Sequence, residues 1–302
     1  SGNILNLLGN SLYRNERAKI DFIDCKGLDL LVSNLHRVIS SSPSNRRRTI
    51  RGGSTTTDVQ LAEPLLNVII NVIDNNIPAK HAATQAKGFV RTLKTIVERG
   101  LEESSDFEGT DTRVIALVWI AISHLAWGSP AVQSSLATRS MIQGLLRDLK
   151  HQDEELRYGA LTALINLSYE CHKVQELAHE LALVQTILTE LQKNKMSNKV
   201  ACAAVFSLGN LLQNNTAGTR DFLSAGGAEI MLSQVNDCED DELSKRIFSF
   251  LLGIGVHVAP FLLALATDIK FCCGSEREQR NGIERDESSS LPSLLSSSSL
   301  SS

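Results

Sequence analysis

One spacing recurs along the chain and limits the folds that the chain can adopt. An apolar helical stretch ends close to a polar residue, a short helix follows, and a second apolar helix opens at a nearly constant distance from that polar residue. The separation from Asn166 to Ala182 equals the separation from Asn210 to Gly226. The same separation runs from Asn10 to Lys26 and from His124 to Ser140, and the one from Asn71 to Gly88 is a single position longer. Five matches of one template predict an internal repeat of three helices.

The residues that open the five matches, called the anchor residues below, give the length of the repeat. They are Asn10, Asn71, His124, Asn166 and Asn210, and the last two intervals between them are 42 and 44 residues. The first two intervals are longer, at 61 and 53 residues. The excess falls in two polar segments without helical periodicity, 40–58 and 100–111, which we predict to be surface loops.

Composition favours close helix packing and narrows the classes of function. Hydrophobic residues make up 42% of the 302 residues but aromatic residues only 5%, so small aliphatic side chains must form most of the core. The net charge of -4 gives no general attraction to nucleic acid, and we expect no nucleic-acid binding. The six cysteines show no CxxC motif and no regular framework, which indicates reduced thiols in a cytoplasmic or nuclear protein.

Patterns for catalysis and metal binding are weak. The chain has no nucleophile elbow, no phosphate-binding loop and no dinucleotide-binding glycine pattern, so we expect neither enzyme activity nor a cofactor. Cys171, His172 and His179 are close in sequence, but their spacing fits no standard zinc site, and we expect no metal. Thr49 follows a run of arginines and is a candidate phosphorylation site; a nuclear localisation signal, a site for an acidic partner and a plain solvated loop are the alternatives for this run. Ser105, with Glu108 three residues later, is a second candidate phosphorylation site.

A period of about 42 residues with three helices per unit is typical of armadillo and HEAT repeats. The stretch FLSAGGAEIMLSQV (222–235) resembles the glycine-initiated second helix of the armadillo family, and DEELRYGALTALINLSYE (153–170) resembles its long third helix. The resemblance covers about 4–255 and implies an all-α, right-handed armadillo-type helical solenoid of about five and a half repeats. A generic helical solenoid is the alternative. We predict a repeat domain over 4–271 and a disordered serine-rich tail over 272–302.

Two local features fit this template. Gly226 and Gly227 suit a sharp turn before a second helix, because glycine tolerates a positive φ. Asp153 and Asp240 precede apolar helical stretches, and we predict that their carboxylates cap third helices at the N-terminus.

The resemblance also implies a binding surface. In armadillo proteins the third helices line the concave face, where a recurrent asparagine holds the backbone of an extended partner peptide. The resemblance therefore assigns partner binding to Asn10, Asn71, Asn166 and Asn210, with His124 in the same register. A side-chain amide offers both donors and an acceptor, which match a peptide group. The alternative is structural: the same asparagines could bond to a neighbouring helix and join one repeat to the next.

One departure from the family pattern bears on the partner. Importin-α-like grooves carry a tryptophan four residues before the asparagine, and it stacks on the partner. The corresponding positions here hold Asn6, Asn67, Ile120, Thr162 and Phe206, so we do not expect a receptor for basic localisation signals. Phe206 and Trp119 are the candidate aromatic contacts with a partner, with core packing as the alternative for both.

These features predict a non-enzymatic scaffold or adaptor that binds a protein or an extended peptide segment. A co-chaperone is one alternative, since nucleotide-exchange factors of heat-shock chaperones are short armadillo folds that clamp a folded lobe. A membrane-tethered adaptor is the other, because 247–266 has 20 residues without Asp, Glu, Lys or Arg. Leu252 and Gly253 lie 42 and 43 residues after Asn210, as a sixth third helix requires, and we favour a capping repeat there.

Overall fold

The computed structural model describes residues 2–40, 56–86, 88–99, 112–193, 196–236 and 241–254, and every regular element in them is an α-helix. In chain order the helices are α1 (Gly2–Leu12), α2 (Glu16–Asp24), α3 (Gly27–Ser40), α4 (Thr56–Ile73), α5 (Ile77–Gln85), α6 (Phe89–Arg99), α7 (Thr112–Ala126), α8 (Pro130–Leu136), α9 (Arg139–Leu149), α10 (Glu154–Ser168), α11 (His172–Glu180), α12 (Leu183–Gln192), α13 (Asn198–Leu212), α14 (Thr216–Ser224), α15 (Gly227–Asn236) and α16 (Asp241–Ile254).

The helices form five complete units of three, preceded by α1. A short first helix opens each unit, a second helix follows, and the third helix closes it; α1 occupies the position of a third helix. Each third helix packs against the next one along the series α1, α4, α7, α10, α13 and α16, and the second helices form a parallel series. Contacts between neighbouring units only are the defining property of a solenoid. The predicted all-α solenoid is confirmed.

Two turns set the recurring spacing, and the first of them directly follows each third helix. The residue four positions after each anchor residue has a positive φ, between 52° and 70°: Arg14, Asn75, Gly128, Glu170 and Asn214. The next residue is the N-cap of the following short helix. Asn15, Asn76 and Asn215 accept a hydrogen bond there from the backbone N–H groups of Ala18, Ala79 and Gly218. One left-handed residue and one cap therefore redirect the chain at the same place in every unit.

The turn into the second helix is less uniform. Lys26, Ala182 and Gly226 have φ values of 58°, 53° and 69°, and the predicted positive φ at Gly226 is confirmed. Gly227 has another reason to lack a side chain, because a Cβ there would collide with the Phe222 ring. Ser140 departs from the template, since α9 begins one residue before it and is capped by Thr138.

Buried polar residues in the short helices hold the ends of the third helices. Gln133 on α8 donates to the carbonyl oxygens of Asn166 and Tyr169 at 2.8 and 3.0 Å. Gln175 on α11 donates to those of Asn210 and Gln213 at 2.9 and 3.2 Å. These carbonyl groups lie at the C-terminal ends of α10 and α13, where no intrahelical donor remains.

Lys19 on α2 has the same role at the end of α4. Its Nζ donates to the carbonyl oxygen of Asp74 at 2.8 Å. Lys19, Gln133 and Gln175 all stand three residues after the first residue of their helix, and we call this position the capping position. A cap at the other end is also confirmed, since Asp153 accepts a hydrogen bond from the backbone N–H of Leu156. Asp240 lies outside the described residues.

The two predicted loops and the chain end are described only in part. Helix α3 continues through Ser40 and α4 begins at Thr56, so both ends of the segment 40–58 are helical. The segments 41–55 and 100–111 lie outside the described residues. Helix α16 occupies the expected sixth position and buries Ile247 and Leu251, whereas 255–266 and the predicted tail over 272–302 lie outside the description. Among the described helices, none combines the length and apolarity that crossing a membrane requires.

Two glycines on neighbouring third helices test the packing of the third-helix series. A Cβ at Gly159 on α10 would lie 2.8 Å from the backbone oxygen of Ala116 on α7, whereas at Gly209 on α13 the nearest atom is a Phe250 side-chain carbon at 3.7 Å. We expect Gly159→Ala to lower the free energy of unfolding by about 1–3 kcal/mol, because the backbones must separate. Gly209→Ala should be neutral or stabilise by up to about 1 kcal/mol. Urea unfolding of both variants measures the difference, and equal stability would contradict this packing.

The buried caps give a second stability prediction. Gln175 is 3% exposed, and Gln175→Met keeps its approximate volume while leaving two helix-end carbonyl groups without a donor. We expect a loss of about 1–3 kcal/mol in unfolding free energy. The matched control is Gln143→Met on the exposed side of α9, which should change stability by no more than about 0.5 kcal/mol. Equal effects at the two sites would show that the caps contribute nothing.

Candidate functional site

The anchor residues occupy one equivalent position on successive third helices. Each of them stands two residues before the last residue of its helix, on α1, α4, α7, α10 and α13. Asn10 is exposed and the other four are half-buried. Because these helices pack side by side, the structure brings the five predicted residues into one row. We call the exposed sides of the six third helices the third-helix face.

Three asparagines of the row bind the preceding unit. Nδ2 of Asn71 donates to the carbonyl oxygen of Gly9 at 3.3 Å, and Nδ2 of Asn210 donates to that of Ile165 at 2.7 Å. Nδ2 of Asn166 donates to the carbonyl oxygen and the hydroxyl of Ser123 at 3.1 and 2.7 Å. Each acceptor is the residue directly before the previous anchor residue. The structural role that the sequence left open is therefore confirmed for these three asparagines.

These bonds leave part of each amide free. Within the described part of the chain, no donor contacts Oδ1 of Asn71, Asn166 or Asn210, and these oxygens are not among the buried side-chain atoms that lack a partner. Asn71 and Asn210 each use one of the two N–H groups on Nδ2. An amide with a free oxygen and a free N–H can bind the two polar atoms of a peptide group. The row can therefore join the repeats and offer hydrogen bonds outward at the same time.

His124 replaces asparagine in the middle of the row. Its Nδ1 lies 3.6 Å from Oδ1 of Asp74, the residue that follows the end of α4. Burial lowers the pKa of His124 below its usual value; Lys80 and Lys19 lower the pKa further, and Asp74 opposes them. At neutral pH the imidazole is therefore mainly uncharged, and it supplies one donor and one acceptor, as an asparagine does.

The two predicted aromatic contacts differ in position. Trp119 is fully buried, and its Nε1–H donates to Oδ2 of Asp148 at 2.7 Å, so its assignment as a partner contact is wrong. The ring packs into the core because it is five residues before His124, one residue away from the exposed register. Phe206 is 46% exposed on the third-helix face, with the Arg246 guanidinium 4.6 Å from its ring centroid.

A second set of exposed rings was not recognised in the sequence. Tyr13, Trp127 and Tyr169 each stand three residues after an anchor residue and are 49%, 56% and 49% exposed. They follow the ends of α1, α7 and α10, on the rim of the third-helix face. Alignment of the repeats on the anchor residues shows aromatic residues at three of five equivalent positions, so the signal was present in the sequence.

The remaining sequence candidates are two phosphorylation sites and a group of possible metal ligands. Thr49 and Ser105 lie outside the described residues. Nδ1 of His172 contacts Oε1 of Gln175 at 3.1 Å, and Nδ1 of His179 lies 2.5 Å from Oδ2 of Asp221. In the described ranges, no three histidine, cysteine, aspartate or glutamate side chains gather in a way that could hold a metal ion.

Comparisons with known proteins identify the fold. No protein-family model matches the chain, and no curated protein matches it in sequence. Solved structures do match. A designed armadillo repeat protein in complex with the peptide (KR)4 superimposes with a TM-score of 0.64 at 17% identity, over 83% of this chain and 91% of that one. Another designed armadillo repeat protein gives 0.64 at 15% identity, over 84% and 93%.

A third structure belongs to computationally designed armadillo repeat proteins for modular peptide recognition. It gives a TM-score of 0.61 at 16% identity, over 83% of this chain and 92% of that one. At such identities the likeness concerns the fold, and it agrees with the repeat of three helices seen here. The chain has an armadillo-type repeat fold.

Proposed function

We propose that the chain is a non-enzymatic scaffold or adaptor that binds an extended segment of a partner protein along the third-helix face. The observation that carries the proposal is the row of anchor residues, whose amides keep free hydrogen-bonding atoms after joining the repeats. An extended segment has unpaired peptide groups that need such partners. Two of the structural neighbours are named for peptide binding, one in complex with (KR)4 and one designed for modular peptide recognition, and this supports the proposal.

The exposed rings supply side-chain contacts beside the row. Tyr13, Trp127, Tyr169 and Phe206 lie on four different third helices or directly after them. Aromatic residues contribute a large share of the binding energy at protein interfaces, because they bury much area with few rotatable bonds. The anchor residues would then bind the backbone of any extended segment, and the rings would select among segments by their side chains.

The two alternative functions gain no specific support from the described residues. A co-chaperone would clamp a folded lobe, for which the structure offers no distinguishing feature in those residues. A membrane tether would use 247–266, of which only 247–254 is described, as part of α16. We also propose a cytoplasmic or nuclear location, supported by Cys25 and Cys171, whose thiols form no disulfide within the described residues.

The test begins with a display library of random unstructured peptides selected against the whole chain. Fluorescence anisotropy then compares a selected peptide on the wild type and on a variant with both Asn166→Ala and Asn210→Ala. We expect the double variant to lose about 1–3 kcal/mol of binding free energy, because the partner's peptide groups lose their hydrogen bonds. The variant should also unfold somewhat more easily, since both asparagines bond to the preceding unit.

Asn34→Ala is the matched control. Asn34 lies on the second helix α3, away from the row, and its Nδ2 donates to the carbonyl oxygen of Leu30 at 2.8 Å. This variant should bind the peptide as the wild type does. Thermal unfolding, followed by circular dichroism, verifies that both variants are folded at the temperature of the binding assay. Unchanged binding by a folded double variant would mean that the row is structural only and that partners bind elsewhere.

A further inference from the structure

The short helix α5 differs from α2, α8 and α11 at the capping position. At the capping position, Lys19, Gln133 and Gln175 each donate to carbonyl groups at the end of a third helix. Lys80 occupies this position on α5, and the end of α7 would be its target. Lys80 makes no such bond. Within the described residues, its ammonium group has neither a hydrogen bond nor an ion pair.

The Lys80 side chain is nine-tenths buried nevertheless. It is 9% exposed, and its Nζ lies 4.1 Å from the centroid of the Trp127 ring. The ring face attracts the cation but accepts none of its hydrogen bonds in the ordinary sense. The three N–H groups of the ammonium therefore have no acceptor among the described residues, and Nζ is not one of the fully buried atoms without a partner, so water or a ligand can reach it.

A cavity of about 330 Å³ opens beside this ammonium group. Its walls are formed by Lys80, Trp127 and their neighbours: Ile77, His81, Thr84, Leu125, Gly128 and Ser129. Ser129 is the N-cap residue of α8, yet its side chain makes no capping bond, so its hydroxyl is available to a ligand. The cavity therefore combines an aromatic and aliphatic wall with two unused groups that can donate hydrogen bonds.

The charges around the cavity favour a single negative charge. Burial lowers the pKa of Lys80, and Asp74 partly opposes this effect. An anion in the cavity would stabilise the charged form of Lys80 and supply acceptors for its N–H groups. One ammonium with one hydroxyl suits a carboxylate, whereas a phosphate dianion would need more donors and would be repelled by Asp74 more strongly than a carboxylate.

We propose that the cavity beside Lys80 and Trp127 is a subsite for a carboxylate, supplied by an acidic side chain of the bound partner segment. Trp127 stands three residues after His124, so the subsite adjoins the middle of the row of anchor residues. The carboxylate accepts from Nζ of Lys80 and from the hydroxyl of Ser129, and the methylene groups of the acidic side chain lie against Trp127. The site itself does not depend on the proposed function. The assignment of the carboxylate to a bound partner segment does rest on it.

Nuclear magnetic resonance of the full chain with 13C at the lysine ε-carbon and 15N in the indole tests this subsite. The probe is N-acetyl-glutamate N-methylamide, and its matched control is the glutamine analogue. We expect the glutamate probe to shift the Lys80 and Trp127 signals saturably in the millimolar range, and the glutamine probe to bind at least about tenfold more weakly. The Lys19 signal should stay in place, because its ammonium already has partners.

Variants assign the effect to the ammonium group. Lys80→Met keeps an aliphatic stem, and it should abolish the difference between the two probes at the Trp127 signal. Lys80→Arg keeps the charge and should retain the difference. If Lys80→Met does not fold, the comparison of the two probes on the wild type still tests whether the site prefers a carboxylate.

Three outcomes would overturn the proposal: no shift at Lys80, equal shifts from the glutamate and glutamine probes, or an equal response to inorganic phosphate. The last would mark a site for free anions and not for an acidic side chain. The single-residue probes do not span the row of anchor residues. A response at Lys80 together with unchanged peptide binding by the double asparagine variant would therefore refute the row and leave the subsite standing.

Discussion

The rest of the structure depends on how the carbonyl groups in the last turn of each third helix are hydrogen-bonded. The carbonyl groups nearest the C-terminal end of a helix have no intrahelical donor, and those of Asn166, Tyr169, Asn210 and Gln213 accept from side chains instead. Side chains from two directions bind the last turns of the third helices. A side chain at the capping position of a short helix binds the end of the third helix, as Gln175 binds α13. An asparagine of the following third helix binds the residue before the previous anchor, as Asn210 binds Ile165. The first bond joins the short helix of a unit to the third helix of the same unit, and the second holds neighbouring units in register.

The proposed binding surface consists of the hydrogen-bonding atoms that these bonds do not use. An asparagine amide has more hydrogen-bonding atoms than the preceding unit requires, so Oδ1 stays free on one side of the array. A single residue type thus contributes to stability and offers outward hydrogen bonds, which explains an amide in an otherwise apolar helix. Where the pattern of donors is broken, as at Lys80, the unused group faces a cavity instead of a carbonyl. The positions of potential binding sites therefore depend on how the helix ends are satisfied.

The sequence predicts the repeat well because the repeat is set by local turns. A left-handed residue and an N-cap at constant distances from each anchor produce the recurring spacing, as at Asn214 and Asn215.

Side-chain direction was harder to predict. Trp119 is one residue away from the register of Ile120, and that single step of about 100° turns its ring from the surface to the core. The capping residues were missed because Lys19, Gln133 and Gln175 look like ordinary surface residues until the end of a distant third helix is placed beside them.

The central claim is that the row of anchor residues binds the backbone of an extended segment. A backbone N-methyl scan of a selected peptide tests it most directly, since each methyl group removes one peptide N–H and leaves the side chain in place. If the anchor residues bind the backbone, affinity falls by about 1–2 kcal/mol at a few evenly spaced positions and little between them. Alanine substitution at those same positions then has a small effect. Uniform tolerance of N-methylation, with losses only on changing side chains, would show that the row does not bind the peptide backbone.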